Sequence, residues 1–111
     1  MKAQKLRTFS DFLKRAEIIP QTLLVITKDE CIECEEAVME LRSLNYDIPF
    51  YELNLSENPN LIKEIEEHYQ IESVPTFLFF RGTKLIGQIT GFDKSNNFTK
   101  FLTSAVHQTN Y

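Results

Sequence analysis

Cys31 and Cys34 are the only cysteines among the 111 residues of the chain. They lie in Thr27-Lys28-Asp29-Glu30-Cys31-Ile32-Glu33-Cys34, where an apolar run hands over to an amphipathic one. Two thiols on one turn at a helix N-terminus can close a disulfide locally, and the outer one can ionise easily there. Ser73-Val74-Pro75-Thr76 follows downstream. A dithiol in this strand–CxxC–helix setting points to thiol–disulfide exchange. The plainer alternative, two small core side chains, is disfavoured by the spacing. A closed zinc site would need more ligands, and His68 and His107 are remote in sequence. Metal or cluster binding through Cys31 and Cys34 would require a dimer.

The elements that must position this pair follow from pattern. Thr22-Leu23-Leu24-Val25-Ile26-Thr27 is apolar and β-branched, as expected of a strand covered on both faces. From Cys31 to about Leu44, the residues Ala37, Val38, Leu41 and Leu44 recur at helical spacing. Upstream, Leu6 and Arg7 end a short first strand. Thr8-Phe9-Ser10-Asp11 has the form of a capping box that opens a helix with Phe9, Phe12, Leu13 and Ala16 on one face. Pro49-Phe50-Tyr51-Glu52-Leu53-Asn54-Leu55 alternates and reads as another strand. Asn58-Pro59 is expected to start a helix striped by Leu61, Ile62, Ile65 and Tyr69, with Glu64, Glu66 and Glu67 on its wet face. Thr76–Phe80 and Leu85–Thr90 flank the turn Arg81-Gly82-Thr83-Lys84, forming a hairpin. A last helix, about Lys94 to His107, carries Phe98, Phe101, Leu102, Ala105 and Val106. Phe77, Phe79, Phe80, Phe98 and Phe101 read as core. The order implies one α/β domain over residues 1–111, a central mixed β-sheet with helices on both faces.

Composition sets the outer bounds. A hydrophobic share of 42% and thirteen aromatics suffice for an ordinary core. Sixteen acidic against twelve basic residues give a net charge of −4, which argues against nucleic acid as partner. No apolar run is long enough to span a bilayer, and none follows the basic start Met1–Arg7. The expectation is a cytoplasmic monomer with no membrane partner, in a compartment where a CxxC pair serves catalysis or metal binding.

With the element order and both motifs in place, the chain resembles the thioredoxin family over nearly its whole length. Cys31 and Cys34 match the redox pair at the end of the central strand. Val74-Pro75-Thr76 matches the loop whose proline is cis and lies against the disulfide, and Gly91 matches a glycine after the hairpin. Cys34 and Pro75 are 41 positions apart, a gap like that of thioredoxins and shorter than is usual in glutaredoxins. The departures are equally specific. Glu30 and Thr27 stand where tryptophans are common, and Ile32-Glu33 stands for Gly-Pro. Val25 replaces a buried Asp, Glu52 replaces the Lys that pairs with it, and Met39 replaces a helix-kinking proline.

The resemblance implies a thioredoxin fold and a thiol–disulfide oxidoreductase with no cofactor beyond a Cys31–Cys34 disulfide. Cys31 is then the nucleophile and Cys34 the resolving thiol. Val74, Pro75, Thr76, Ile32, Glu33 and Gly91 face the substrate, Val74 through strand-like backbone pairing. Asp29, Glu30, Glu33, Glu35 and Glu36 oppose the helix dipole and raise the Cys31 thiol above that of a CxxC with neutral inner residues. They also favour protein disulfides on basic surfaces. Electrons would come from a flavin-dependent disulfide reductase or another dithiol protein. Glu52, on the strand beside Val25, is a candidate proton acceptor for Cys34. The competing class is a thioredoxin-fold binding module without turnover.

Overall fold

In the computed structural model, residues 3–58, 60–93 and 97–107 are described. Nine elements follow in chain order: β1 (Ala3–Leu6), α1 (Phe9–Ala16), β2 (Gln21–Thr27), α2 (Ile32–Ser43), β3 (Phe50–Asn54), α3 (Leu61–Glu66), β4 (Thr76–Arg81), β5 (Lys84–Thr90) and α4 (Asn97–His107). The strands form one sheet in the order β1-β3-β2-β4-β5. β1, β3 and β2 run parallel, β4 pairs antiparallel with β2, and β5 pairs antiparallel with β4.

β2 is central, and its alternate residues feed two cores. Leu24 and Ile26 join Phe9, Phe12, Leu53, Leu61, Ile65 and Phe80 beneath α1 and α3. Leu23 and Val25 join Ala37, Leu41, Phe50, Phe77, Phe98 and Leu102 beneath α2 and α4. A strand covered twice has no wet face, which explains its unbroken apolar run.

α1 starts as its sequence suggests, with the Asp11 amide donating to Thr8 Oγ1 at 3.0 Å. A second cap comes from afar. Glu64, expected on a wet face, is half-buried, and its carboxylate accepts from the Phe9 amide at 3.2 Å. A carboxylate at a helix N-terminus satisfies an orphan N–H and complements the dipole.

Other expectations need correction. Asn58 does not cap α3: the N-cap is Asn60, without a side-chain cap bond. Asn58 Oδ1 instead accepts from the Asn60 amide, and its Nδ2 donates to the Arg7 carbonyl. Pro59, the other half of that expected start, lies outside the described residues, as do Lys94 and the side chains of Ala105 and Val106. Although its sequence alternates, β3 lies inside the sheet between β1 and β2, and all but Glu52 of its residues are buried. The hairpin carries a β-bulge, with the register shifting between Phe79 and Phe80.

Phe12 has no exposed surface and packs its ring against Phe9, Tyr51 and Phe80. Phe12→Ala is expected to cost about 3–5 kcal/mol, seen as a lower urea midpoint with an unchanged fold at low denaturant.

Candidate active site

β2 and β3 both end at one edge of the sheet, and the chain beyond β2 must turn from strand to helix there. The turn is sharp. Glu30 takes a left-handed φ of +55°, a conformation that costs a non-glycine residue about 1–2 kcal/mol. Side chains from the β3 exit hold the turn in place. The Asp29 amide donates to Ser56 Oγ at 3.0 Å, Asn54 Nδ2 donates to Asp29 Oδ1 at 3.0 Å, and the Ser56 amide donates to Asn54 Oδ1 at 2.8 Å. Asn54 is itself buried.

Cys31 is the N-cap of α2, and its Sγ accepts from the Cys34 amide at 3.2 Å. The residues form a disulfide, their Cα atoms 5.2 Å apart. Cys31 is half-buried, whereas Cys34 is only 3% exposed. One sulfur therefore faces the surface at the positive end of a helix, and the other faces inward from the same turn. Between them Ile32 is 73% exposed.

The pairing of Ile26 with Thr76 brings the start of β4 to the same edge. The Val74–Pro75 peptide preceding it is cis. Pro75 is buried, Val74 half-buried, and the Pro75 carbonyl accepts from the Gly91 amide at 2.7 Å. Gly91 has φ +87°, a conformation that an L side chain rarely adopts. Thr76 sits differently from a substrate contact. It is wholly buried, its hydroxyl donating to the Ser73 carbonyl at 2.6 Å and lying 3.3 Å from Thr90 Oγ1. Its side chain holds the loop from within, leaving Val74 as the accessible member.

Three hollows are lined by residues of the loops and helices at this end of the sheet, one of them by Cys34 itself. A groove of about 320 Å³ lies between α3 and the loop, lined by Leu55, Ile62, Ile65, Ile71 and Val74, with Glu66, Glu72 and Lys28 among its polar members. A second, of about 330 Å³, brings Glu33 together with Gly91, Phe92 and Phe98. A third, of about 450 Å³, lies on the α2 side and contains Cys34, Thr27, Glu52, Met39 and Arg42. Glu52 is half-buried, and its Oε2 accepts from the Thr27 hydroxyl at 2.6 Å, while Val25 beside it has no exposed surface.

Glu33 and Gly91 thus line one hollow, and Cys34 and Glu52 line another. The structure adds parts that pattern reading did not identify: the Asn54–Asp29–Ser56 clamp, the apolar groove with Ile62 and Ile71, and Thr27 as partner of Glu52. Among the described residues, no group of three or more His, Cys, Asp or Glu could hold a metal ion, and no helix is long and apolar enough to cross a membrane.

Comparison with known proteins agrees with this geometry. The family model described as Glutaredoxin matches residues 23–84, more than half of the chain. Thioredoxin-1 of Drosophila yakuba is 28% identical over 90 residues, covering 79% of this chain and 84% of that protein. Oxidised mitochondrial thioredoxin 3 of Saccharomyces cerevisiae superposes with a TM-score of 0.71 at 21% identity, over 95% of this chain and 94% of that one. Thioredoxin f of spinach chloroplast gives 0.69 at 23% identity, over 99% and 95%. The matched segment runs from the central strand through the disulfide and the cis-proline loop into the hairpin, and with it the chain belongs to the thioredoxin–glutaredoxin family of thiol–disulfide oxidoreductases.

Proposed function

We propose that the chain is a dithiol reductant of selected protein disulfides. The observation that carries this is the asymmetry of the pair, with Cys31 half-buried at the start of α2 and Cys34 shielded one turn on. In the reduced state the Cys31 thiolate attacks a substrate disulfide. A mixed disulfide forms and one substrate thiolate leaves. Cys34 then attacks Cys31 Sγ, closing the internal disulfide and releasing the second substrate sulfur. Two electrons pass from the dithiol to the substrate. A flavin-dependent disulfide reductase or another dithiol protein restores the dithiol, so no cofactor is needed on this chain. The compartment that suits a reductant is the cytoplasm.

The substrate side follows from the surroundings. An extended segment lies along Val74, pairing with its backbone, with an apolar side chain over Ile62 and Ile71. On the other side Glu33 and Gly91 share a hollow, and on this reading Ile32 and Pro75 also face the substrate. Glu30, Glu33, Glu35 and Glu36 are exposed around the disulfide, and Glu66 and Glu72 rim the groove. Such a rim favours basic partner proteins and disfavours acidic ones. The protein acts as a monomer on protein substrates, not on nucleic acid or membranes.

The apolar groove beside Val74 also supports the binding-module reading, and one experiment separates the two. With a reduced electron donor present, the wild type reduces insulin repeatedly, Cys34→Ser stalls as a mixed disulfide on Cys31, and Cys31→Ser forms none. The potential of the pair, equilibrated against glutathione and dithiothreitol buffers, is expected near the thioredoxin value of about −270 mV. A pair that never closes in oxidising buffer would leave the binding module, or metal carriage by a dimer, as the better account.

The acidic rim makes its own prediction. Glu33→Gln and Glu30→Gln should each lower the pKa of the Cys31 thiol, because removing a like charge favours the thiolate. The pH dependence of Cys31 alkylation reads this, and the difference should shrink at high salt. Both variants should narrow the rate difference between a lysine-rich and a glutamate-rich disulfide peptide.

A further inference from the structure

The resolving step needs a proton acceptor. Cys34 is 3% exposed, so its thiol has little direct access to bulk water. The 450 Å³ cleft that Cys34 lines holds candidate acceptors for its proton. Val25, on the strand below, is apolar and sealed. The remaining acidic groups of the cleft are Asp29, Glu30, Glu35 and Glu52. The first three are exposed, and Asp29 is already engaged by Asn54. Glu52 alone among them is half-buried, and it rises from the sheet face beneath α2, in register with Val25.

Its surroundings suit a carboxylate. The Thr27 hydroxyl, 1% exposed, donates to Oε2 at 2.6 Å and fixes that oxygen, leaving Oε1 for another partner. On the outer side, Lys5 of β1 is the cross-strand neighbour of Glu52. The Lys5 ammonium is held above its usual range, first by its hydrogen bond with Glu57. Burial opposes this, while the charges of Glu57, Glu52 and Asp29 add to it. Lys28 and Arg42 supply further positive charge around the cleft, against the negative charge of Asp29, Glu30 and Glu35. The cleft that both Cys34 and Glu52 line is large enough to admit water.

We propose that Glu52 accepts the Cys34 proton during resolution, with Thr27 positioning its carboxylate. The proposal rests on the oxidoreductase reading above and assigns the proton path of that site. In balance, the Cys34 S–H proton moves to the Glu52 carboxylate, directly or through one water. The resulting thiolate forms the Cys34–Cys31 bond as the Cys31–substrate bond breaks. The departing substrate thiolate takes the proton back from the Glu52 carboxyl, or is protonated by solvent while Glu52 releases its proton to water; either way the carboxylate is restored.

Single-turnover reaction of the reduced protein with an aromatic disulfide separates the two steps, through leaving-thiol release and decay of the mixed disulfide. At neutral pH, Glu52→Gln is expected to slow that decay by about tenfold or more, leaving the attack by Cys31 within about twofold. The deficit should fade as rising pH ionises Cys34 without help. Glu52→Asp should recover part of the rate, and Thr27→Val should lose part of it. Decay slowed less than about twofold by Glu52→Gln, or slowed equally at every pH, would overturn the assignment while leaving the oxidoreductase reading intact. Failure of the wild type to form the mixed disulfide at all would overturn that reading itself, and the assignment with it.

Discussion

The site depends on how β2 becomes α2. The strand must end buried at Thr27, reverse its backbone at Glu30 and begin a helix whose first orphan amides need a partner. Cys31 Sγ supplies one by accepting from the Cys34 amide. The sulfur that caps the helix is therefore the sulfur exposed to substrate, and the residue it caps is its own disulfide partner. Glu30 pays a left-handed φ at this turn. The three hydrogen bonds linking Asp29, Asn54 and Ser56 offset it, each contributing about 0.5–1.5 kcal/mol. The clamp also ties the turn to β3, the strand that carries Glu52. The placement of the proposed nucleophile and of the proposed proton acceptor is thus set by one local structure.

The sheet decides where charge can stand near that turn. In one row across the strands, Val25, Glu52 and Lys5 are neighbours in register. Their environments run from sealed, through half-buried, to exposed as the row moves from the central strand to the edge. An isolated charge at Val25 would carry a large desolvation cost between two apolar cores. One strand outward, the same charge keeps contact with water, gains the Thr27 hydroxyl and has a lysine across the strand. The chain thus keeps an apolar residue at the centre of its sheet and an ionisable one at the margin, still within the cleft of Cys34.

What the sequence revealed, and what it hid, divides by range of interaction. The apolar run into Cys31, the helical spacing of Ala37 and Leu41, the Thr8 cap and the hairpin around Gly82 are local, and periodicity or turn chemistry exposes them. The mixed sheet with helices on both faces followed from their order. Glu64 capping Phe9 spans 55 positions, and no local pattern separates it from the exposed Glu66 and Glu67. Asn58-Pro59 carries a strong helix-start signal, yet Asn58 is drawn to the Arg7 carbonyl and the cap moves on to Asn60. The burial of Thr76 and of most of β3 likewise needs the strand order, because only that order shows which strands lack an edge. The Glu52–Thr27 bond depends on register across two strands, and the groove lined by Ile62 and Ile71 on how α3 meets the loop before Pro75.

The carboxylates around Cys31 act in two opposed ways. Glu33 and Glu35 lie in the first turn of α2, where negative charge complements the helix dipole and stabilises the fold. The same charges disfavour a thiolate at that N-terminus, because they compete for the field that would stabilise it. Both effects weaken with salt, but a docked partner alters them unequally. A basic surface over Glu30, Glu33 and Glu36 neutralises the opposition to the thiolate while excluding solvent from the sulfur, and the α2 amides stay in place. An acidic surface adds to the opposition. On the proposed reading, selectivity would then arise in the chemical step as well as in the encounter, since the partner that binds best would also make Cys31 the better nucleophile. A neutral pair of inner residues would give a more reactive thiol to every partner and lose this coupling.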